Sequence, residues 1–276
     1  NSALTGIASA ADIADIRAAT TGLLDGSAIT AISGPLATDV AQALTDLNTD
    51  PLAPFIWSEA VGDALAVDLS TISQATSSTL DASAVTAING TVQDVSDVLI
   101  DSGILKPAIF NTTLTGPATA AQIFAIDAAN ATGTIDGSGI TALDGSAADV
   151  VAALNAMDID PTTFDSSITG ATASVADLHT ISLATTGMVT AIGVTSLDGT
   201  PADVVSVIND AGITTSTTFN STLTGPATVT DIADIRAATT GLLDGAAITA
   251  LSGTLATDVA QALTDLNTDP LAPFIW

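Results

Sequence analysis

The sequence predicts an α/β protein: a tandem-repeat, solenoid-like rod of strand-helix half-units, each roughly 26–29 residues long and paired into modules of about 55. Three observations predict it. Residues 1–57 and 220–276 are two copies of one sequence, differing at eight of 57 aligned positions. Phe55, Phe110, Phe164, Phe219 and Phe274 recur at a near-constant spacing of about 55 positions, with only Phe124 off that beat. Capping pairs, Ser or Thr followed three residues later by Asp or Gln, stand where β-branched runs give way to helical apolar spacing. Fixed periods mark repeat architectures. Strands alternating with helices over a short period predict a parallel sheet with helices on at least one face.

The modules are expected at 1–55, 56–110, 111–164 and 165–219, with 220–276 a second copy of the first. The four together make a super-repeat that runs from Asn1 to Phe219 and begins again at Asn220. TGLLDG at 21–26 reappears as SSTLDA (77–82), TGTIDG (132–137), TGMVTA (186–191) and TGLLDG (240–245). By this register a Phe is expected before Asn1, and Ser-Glu-Ala-Val-Gly after Trp276, as after Trp57.

Along the chain, the first helix is expected after the pair Ser9/Asp12. SAITAIS (27–33) is short and rich in β-branched residues, as strands are, and Val40, Leu44 and Leu47 then take helical spacing. Later helices are expected behind Thr91/Asp94, Thr119/Gln122, Ser146/Asp149, Ser174/Asp177, Thr200/Asp203 and Thr228/Asp231. Val150, Leu154 and Met157 share one helical face, as do Val204, Val207 and Ile208. Pro201 occupies the first helical position, where a missing N–H costs nothing. GVTSL (193–197) is the strand ahead of it, and Asp-Gly and Ser-Gly dipeptides punctuate the joins. Compact α/β beads on a string, one per module, are the competing architecture.

Charge restricts function. The chain has 30 acidic residues, all Asp except Glu59, against Arg17, Lys106 and Arg236, for a net charge of -27. Nucleic-acid binding needs clustered Lys and Arg to displace counterions and is not expected. Anionic membrane surfaces are disfavoured likewise. No apolar run approaches the roughly 18 residues of a membrane span, and no signal-peptide pattern is visible in this stretch. Without Cys there is no disulfide or thiol chemistry.

The carboxylates suit calcium, a hard cation that takes oxygen ligands. Capping accounts for most of them, because Asp at the third helical position complements the helix dipole. Asp158, Asp160 and Asp165 in DIDPTTFD are the candidate metal ligands, and Asp46 and Asp50 form a second close pair. No EF-hand loop or GGxGxD nonapeptide occurs, so calcium is admitted but no cofactor is required. His179 reads as a solvated helix residue, Lys106 as a lone surface charge, and Arg17 and Arg236 as ordinary surface residues. Nucleophilic catalysis needs an activating base, and one His and one Lys supply few, so no enzyme activity is expected. The packing candidates are Phe55, Phe110, Phe164, Phe219 and Phe274 with Trp57 and Trp276. Phe is expected as the large core residue of each module, and Trp either as core or as a joint recurring once per super-repeat.

ATTGLLDGSAITAISG (19–34) and TGTIDGSGITALDGSAADV (132–150) carry the frame ATTGxxxG, shortened to TGxxxG in the second, with IT further on in both and ADV in the second. That frame resembles tandem repeats of very large Asp- and Thr-rich surface proteins of marine bacteria, cyanobacteria among them. The resemblance covers essentially the whole chain. It implies an extracellular or cell-surface structural or adhesive component, and no catalytic residue. The expected function is therefore a segment of a long extracellular fibre, filament or surface coat that self-associates, with divalent cations as bridging partners. The stalk of a calcium-dependent adhesin is the alternative. An ice- or carbohydrate-binding face would need Thr in a flat array, whereas Thr here clusters at turns and caps.

Overall fold

A computed structural model describes residues 1–51, 56–58, 61–76 and 78–268. Among them lie ten helices of eight to ten residues and many short strands in small, parallel sheets. The chain divides into two compact units: Asn1–Pro117 with Gln122–Ile140 and Ala156–Asp160, and Ala118–Ala121 with Thr141–Asn155 and Pro161–Trp276.

In the first unit, β1 (Ser2–Ser9), α1 (Ala10–Ala19), β2 (Leu24–Ser33), α2 (Ala37–Asp46) and β3 (Ile56–Ser58) form a sheet ordered β1-β2-β3. There follow β4 (Gly62–Leu65), α3 (Ala66–Ala75), β5 (Leu80–Asp81), β6 (Val85–Thr91), α4 (Val92–Ile100) and β7 (Ile104–Leu105). With β8 (Thr112–Thr119), α5 (Ala120–Ala129) and β9 (Ile135–Asp144) they give the sheets β4-β6-β8-β9 and β5-β7. The second unit holds α6 (Ala147–Ala156), β10 (Ser166–Ser167), β11 (Thr172–Ser174), α7 (Val175–Ala184), β12 (Val189–Ala191) and β13 (Ser196–Asp198). It continues with α8 (Pro201–Ile208), β14 (Ile213–Thr215), β15 (Ser221–Thr228), α9 (Val229–Ala238), β16 (Leu243–Ser252) and α10 (Ala256–Asp265). Its sheets are β10-β12-β14, β11-β13 and β15-β16.

Parallel neighbours need a long crossover, usually a helix, and a helix lies between the paired strands here. Ser2 pairs with Leu24 across α1, Ser166 with Val189 across α7, and Ser221 with Leu243 across α9. Alternate strand residues face inward and meet one apolar helix stripe. Leu24, Ile29 and Ile32 are buried with Ile13 and Val40 in the first unit; Leu197, Leu223 and Leu251 accompany Val204, Ile232 and Ile235 in the second. Gly6 and Gly225, at φ 75° and 78°, take the left-handed backbone where β1 and β15 shift register against their partners. Only glycine does this without strain.

The capping pairs behave as expected at Ser9, Thr91, Ser146, Thr200 and Thr228, whose hydroxyls accept the N–H of Asp12, Asp94, Asp149, Asp203 and Asp231. Ser174 differs: its side chain makes no capping bond to α7. Leu36, Leu65 and Leu255 occupy the N-cap positions of α2, α3 and α10, where Asp39, Asp68 and Asp258 still complement the dipole. GVTSL is not one strand. A turn closed by Val194 N–H to the Ala191 carbonyl separates β12 from β13, so pairing resumes only at Ser196.

Candidate functional site

The feature that recurs is a joint around each buried Phe. Phe110, Phe164 and Phe219 are at most 1% exposed and are the largest fully buried side chains. Behind each sits a glycine of the Thr-Gly turn that follows the next helix. A Cβ on Gly133, Gly187 or Gly241 would lie 1.9, 2.1 or 2.0 Å from the carbonyl oxygen of Phe110, Phe164 or Phe219. No side chain fits there, which gives the recurring TG dipeptide its physical reason. The Thr185 hydroxyl accepts the Phe164 N–H at 2.8 Å and donates to the Phe164 carbonyl at 2.6 Å. Thr239 donates likewise to the Phe219 carbonyl at 2.6 Å. Asn130 takes this place for Phe110, accepting its N–H at 3.2 Å through Oδ1. Its Nδ2 is buried without a partner among the described residues, and the turn to Gly133 runs one residue longer. Two residues past each Phe, Thr112, Ser166 and Ser221 bury their hydroxyls and donate to the carbonyls of Ile88, Leu143 and Leu197 in the preceding strands. Phe55, Phe274 and Trp276 fall outside the described residues.

Asx side chains form the outer half of the joint. Asn111, Asp165 and Asn220 accept the N–H of Thr134, Met188 and Leu242 at 3.0, 2.8 and 2.8 Å. Asn48, Asp158 and Asn267 accept the N–H of Leu24, Ile135 and Leu243. Asn89, Asp144 and Asp198 accept that of Thr113, Ser167 and Thr222. Amide and carboxylate alternate at each place, so what is used there is an acceptor oxygen rather than a charge. Of the candidate metal ligands, Asp158 and Asp165 belong to this pattern. Asp158 and Asp160 lie in the first unit and Asp165 in the second, and burial raises the Asp160 carboxyl above its ordinary pKa. Among the described residues, no group of three or more His, Asp or Glu side chains comes together to hold a metal.

Trp57 is 6% exposed, and its indole N–H donates to the Gly34 carbonyl at 2.8 Å, tying β3 to the end of β2. The cations depart from expectation. Arg17 donates to the Asp46 carbonyl (2.7 and 3.0 Å), the Gly22 carbonyl (3.0 Å) and Asn48 Oδ1 (2.8 Å), clamping the ends of α1 and α2. Arg236 reaches the Gly241 carbonyl at 3.0 Å. Lys106 caps α4 through the carbonyls of Leu99 and Asp101 at 2.9 and 2.8 Å. A cation at a helix C-terminus meets the negative end of the dipole. These residues are part-buried clamps, a role that counting charges in the sequence does not show.

His179 is exposed on α7 beside an open groove of about 290 Å³ lined by Ala176, Thr180, Asp203 and Ser206. A groove of about 400 Å³ between α2 and α3 is lined by Thr45, Asp50, Thr71 and Gln74. Both are shallow gaps between helices. Asp210 is held below the ordinary carboxylate range, chiefly by the Ser182 hydroxyl (2.7 Å) and then by the Gly212 N–H (2.8 Å). Ser167, Thr190 and Thr214 stand in one column, but Thr5, Thr222 and Thr224 face Ala28, Asp244 and Ala247. Among the described residues, no helix is long and apolar enough to cross a membrane. No protein-family model and no curated protein sequence matches the chain.

Proposed function

We propose that this chain is a structural segment of a long extracellular fibre, filament or surface coat, in which strand-helix half-units stack as a solenoid-like rod. One observation carries the reading: the joint of buried Phe, close-packed Gly and strand-to-strand hydroxyl is rebuilt at Phe110, Phe164 and Phe219, at the sequence period. Such a device stabilises neighbours and offers no substrate a pocket. Stability is then roughly a sum of nearest-neighbour terms. The part-buried cations engage backbone carbonyls, so the net charge of -27 keeps rods soluble and invites divalent cations as bridges. No enzyme activity belongs to this reading, and no nucleic-acid partner does either.

The stalk of a calcium-dependent adhesin shares the same mechanics and adds an ion requirement. Thermal melting with calcium and then with chelator separates the two. An unchanged transition favours the fibre, and a transition lost on chelation favours the adhesin stalk. Thr columns broken by Ala and Asp weigh against an ice-binding face.

A further inference from the structure

The near-duplicate segments allow one surface to be seen both bare and covered. In the second copy, Ser221, Leu223, Ala227, Ile235 and Thr239 are buried. Their counterparts Ser2, Leu4, Ala8, Ile16 and Thr20 are all exposed or half-exposed, although the residue types are identical. What covers the second copy is the half-unit ending in Phe219. Leu197 N–H donates to the Asn220 carbonyl at 2.9 Å and Asn220 N–H to the Thr195 carbonyl at 2.7 Å. Thr222 N–H donates to Asp198 Oδ1 at 2.9 Å and Thr224 N–H to the Gly199 carbonyl at 3.0 Å. The Ser221 hydroxyl reaches the Leu197 carbonyl, and Thr239 the Phe219 carbonyl.

The first copy keeps every receiving group. β1 is the edge strand of its sheet, and its pairing with β2 repeats that of β15 with β16. The Ala3 and Thr5 amides therefore point to the open side. Gly22 leaves the same opening: a Cβ there would meet Asn1 N at 2.9 Å, as one on Gly241 meets Asn220 N at 3.0 Å. An edge strand with unpaired amides is a template for another strand.

We propose that the β1/α1 face is the receiving half of an inter-repeat joint. Its occupant is a strand-helix half-unit of the Thr195–Phe219 type, its Phe seated against Thr20 and Gly22 as Phe219 is against Thr239 and Gly241. The inference rests on the array reading and gives it a specific contact. Eight differences in 57 positions leave the five core receivers unchanged, so the same partner fits both copies.

The test is the full chain with a second copy of residues 165–219 joined ahead of Asn1, followed by amide hydrogen exchange. In the unextended chain, the Ala3 and Thr5 amides are expected to exchange at least about a hundredfold faster than those of Thr222 and Thr224. In the extended chain the two pairs should agree within about threefold. Replacing the added copy of Phe219 by Ala should reopen the difference about tenfold or more. Equal exchange at both pairs in the unextended chain overturns the proposal, as does an extension that leaves Ala3 and Thr5 fast. Concentration-dependent protection of Ala3 and Thr5 in the unextended chain also overturns it, by giving the face to a second copy. Imaging of native material judges the array separately: an axial period matching the super-repeat alongside unprotected Ala3 and Thr5 would sink the joint and keep the array.

Discussion

Gly187→Ala places a methyl group where the Phe164 backbone already runs. The new carbon would sit 2.1 Å from the Phe164 carbonyl oxygen, 2.6 Å from its carbon and 2.8 Å from Asp165 Oδ1. Because Gly187 does not have a left-handed φ, the cost comes from space alone. Phe164 is buried on every side and cannot retreat without moving its side chain through the core. Overpacking of this kind costs about 1–3 kcal/mol. Displacing Phe164 also breaks its two bonds to the Thr185 hydroxyl, at 2.8 and 2.6 Å, adding about 1–3 kcal/mol. The expected loss is about 2–6 kcal/mol. A chain of similar units need not unfold in one step, so the assay is native-state exchange of the Phe164, Ser166 and Ile168 amides in low urea. Gly193→Ala is the control, since a Cβ added there would meet nothing within 4 Å; it should be neutral or stabilise by about 0.4–1 kcal/mol. Equal exchange in the two variants would refute the joint as described.

Four further outcomes are expected. Asp165→Asn should change stability by less than about 0.5 kcal/mol, because Asn111 and Asn220 make the same bond, while Asp165→Ala should cost about 1 kcal/mol in urea melts. Thr200→Ala should cost about 1 kcal/mol and Ser174→Ala well under that, since only Thr200 caps its helix. Arg17→Lys should cost about 1.5–3 kcal/mol, because an ammonium cannot span the Asp46 and Gly22 carbonyls together. The Asp210 carboxyl has a lowered folded pKa, so its stabilisation is present above the unfolded value of about 3.9. That contribution fades as pH falls through the lower folded pKa. Ser182→Ala should move the NMR-measured Asp210 pKa upward, since that hydroxyl is the largest cause.

Much of the fold was legible because caps and periodicity are local. Ser9, Thr91, Ser146, Thr200 and Thr228 mark helix starts where expected, and Phe110, Phe164 and Phe219 are the core residues their spacing predicts. Ser174 shows the limit of a local rule: the motif is present and the bond is not. The joint itself was only half legible. Gly187 and Thr185 lie beyond the helix that follows Phe164, and their meaning depends on strands that close over that helix. The interchange of Asn and Asp at positions 48, 158 and 267 is visible in the sequence. It signals that these carboxylates serve as acceptors, and the dominant acidic charge draws attention away from it. Arg17 and Lys106 look like lone surface charges for a related reason, since their partners are backbone carbonyls that carry no letter.

The central claim is that these half-units stack into a fibre. Oriented diffraction and cryo-electron microscopy of the native material in seawater-like salt test it most directly. The prediction is a filament with strands spaced about 4.8 Å apart along its axis and an axial period containing one super-repeat, Asn1 to Phe219. Isolated monomers under the same conditions, or filaments whose period bears no relation to that super-repeat, would contradict it.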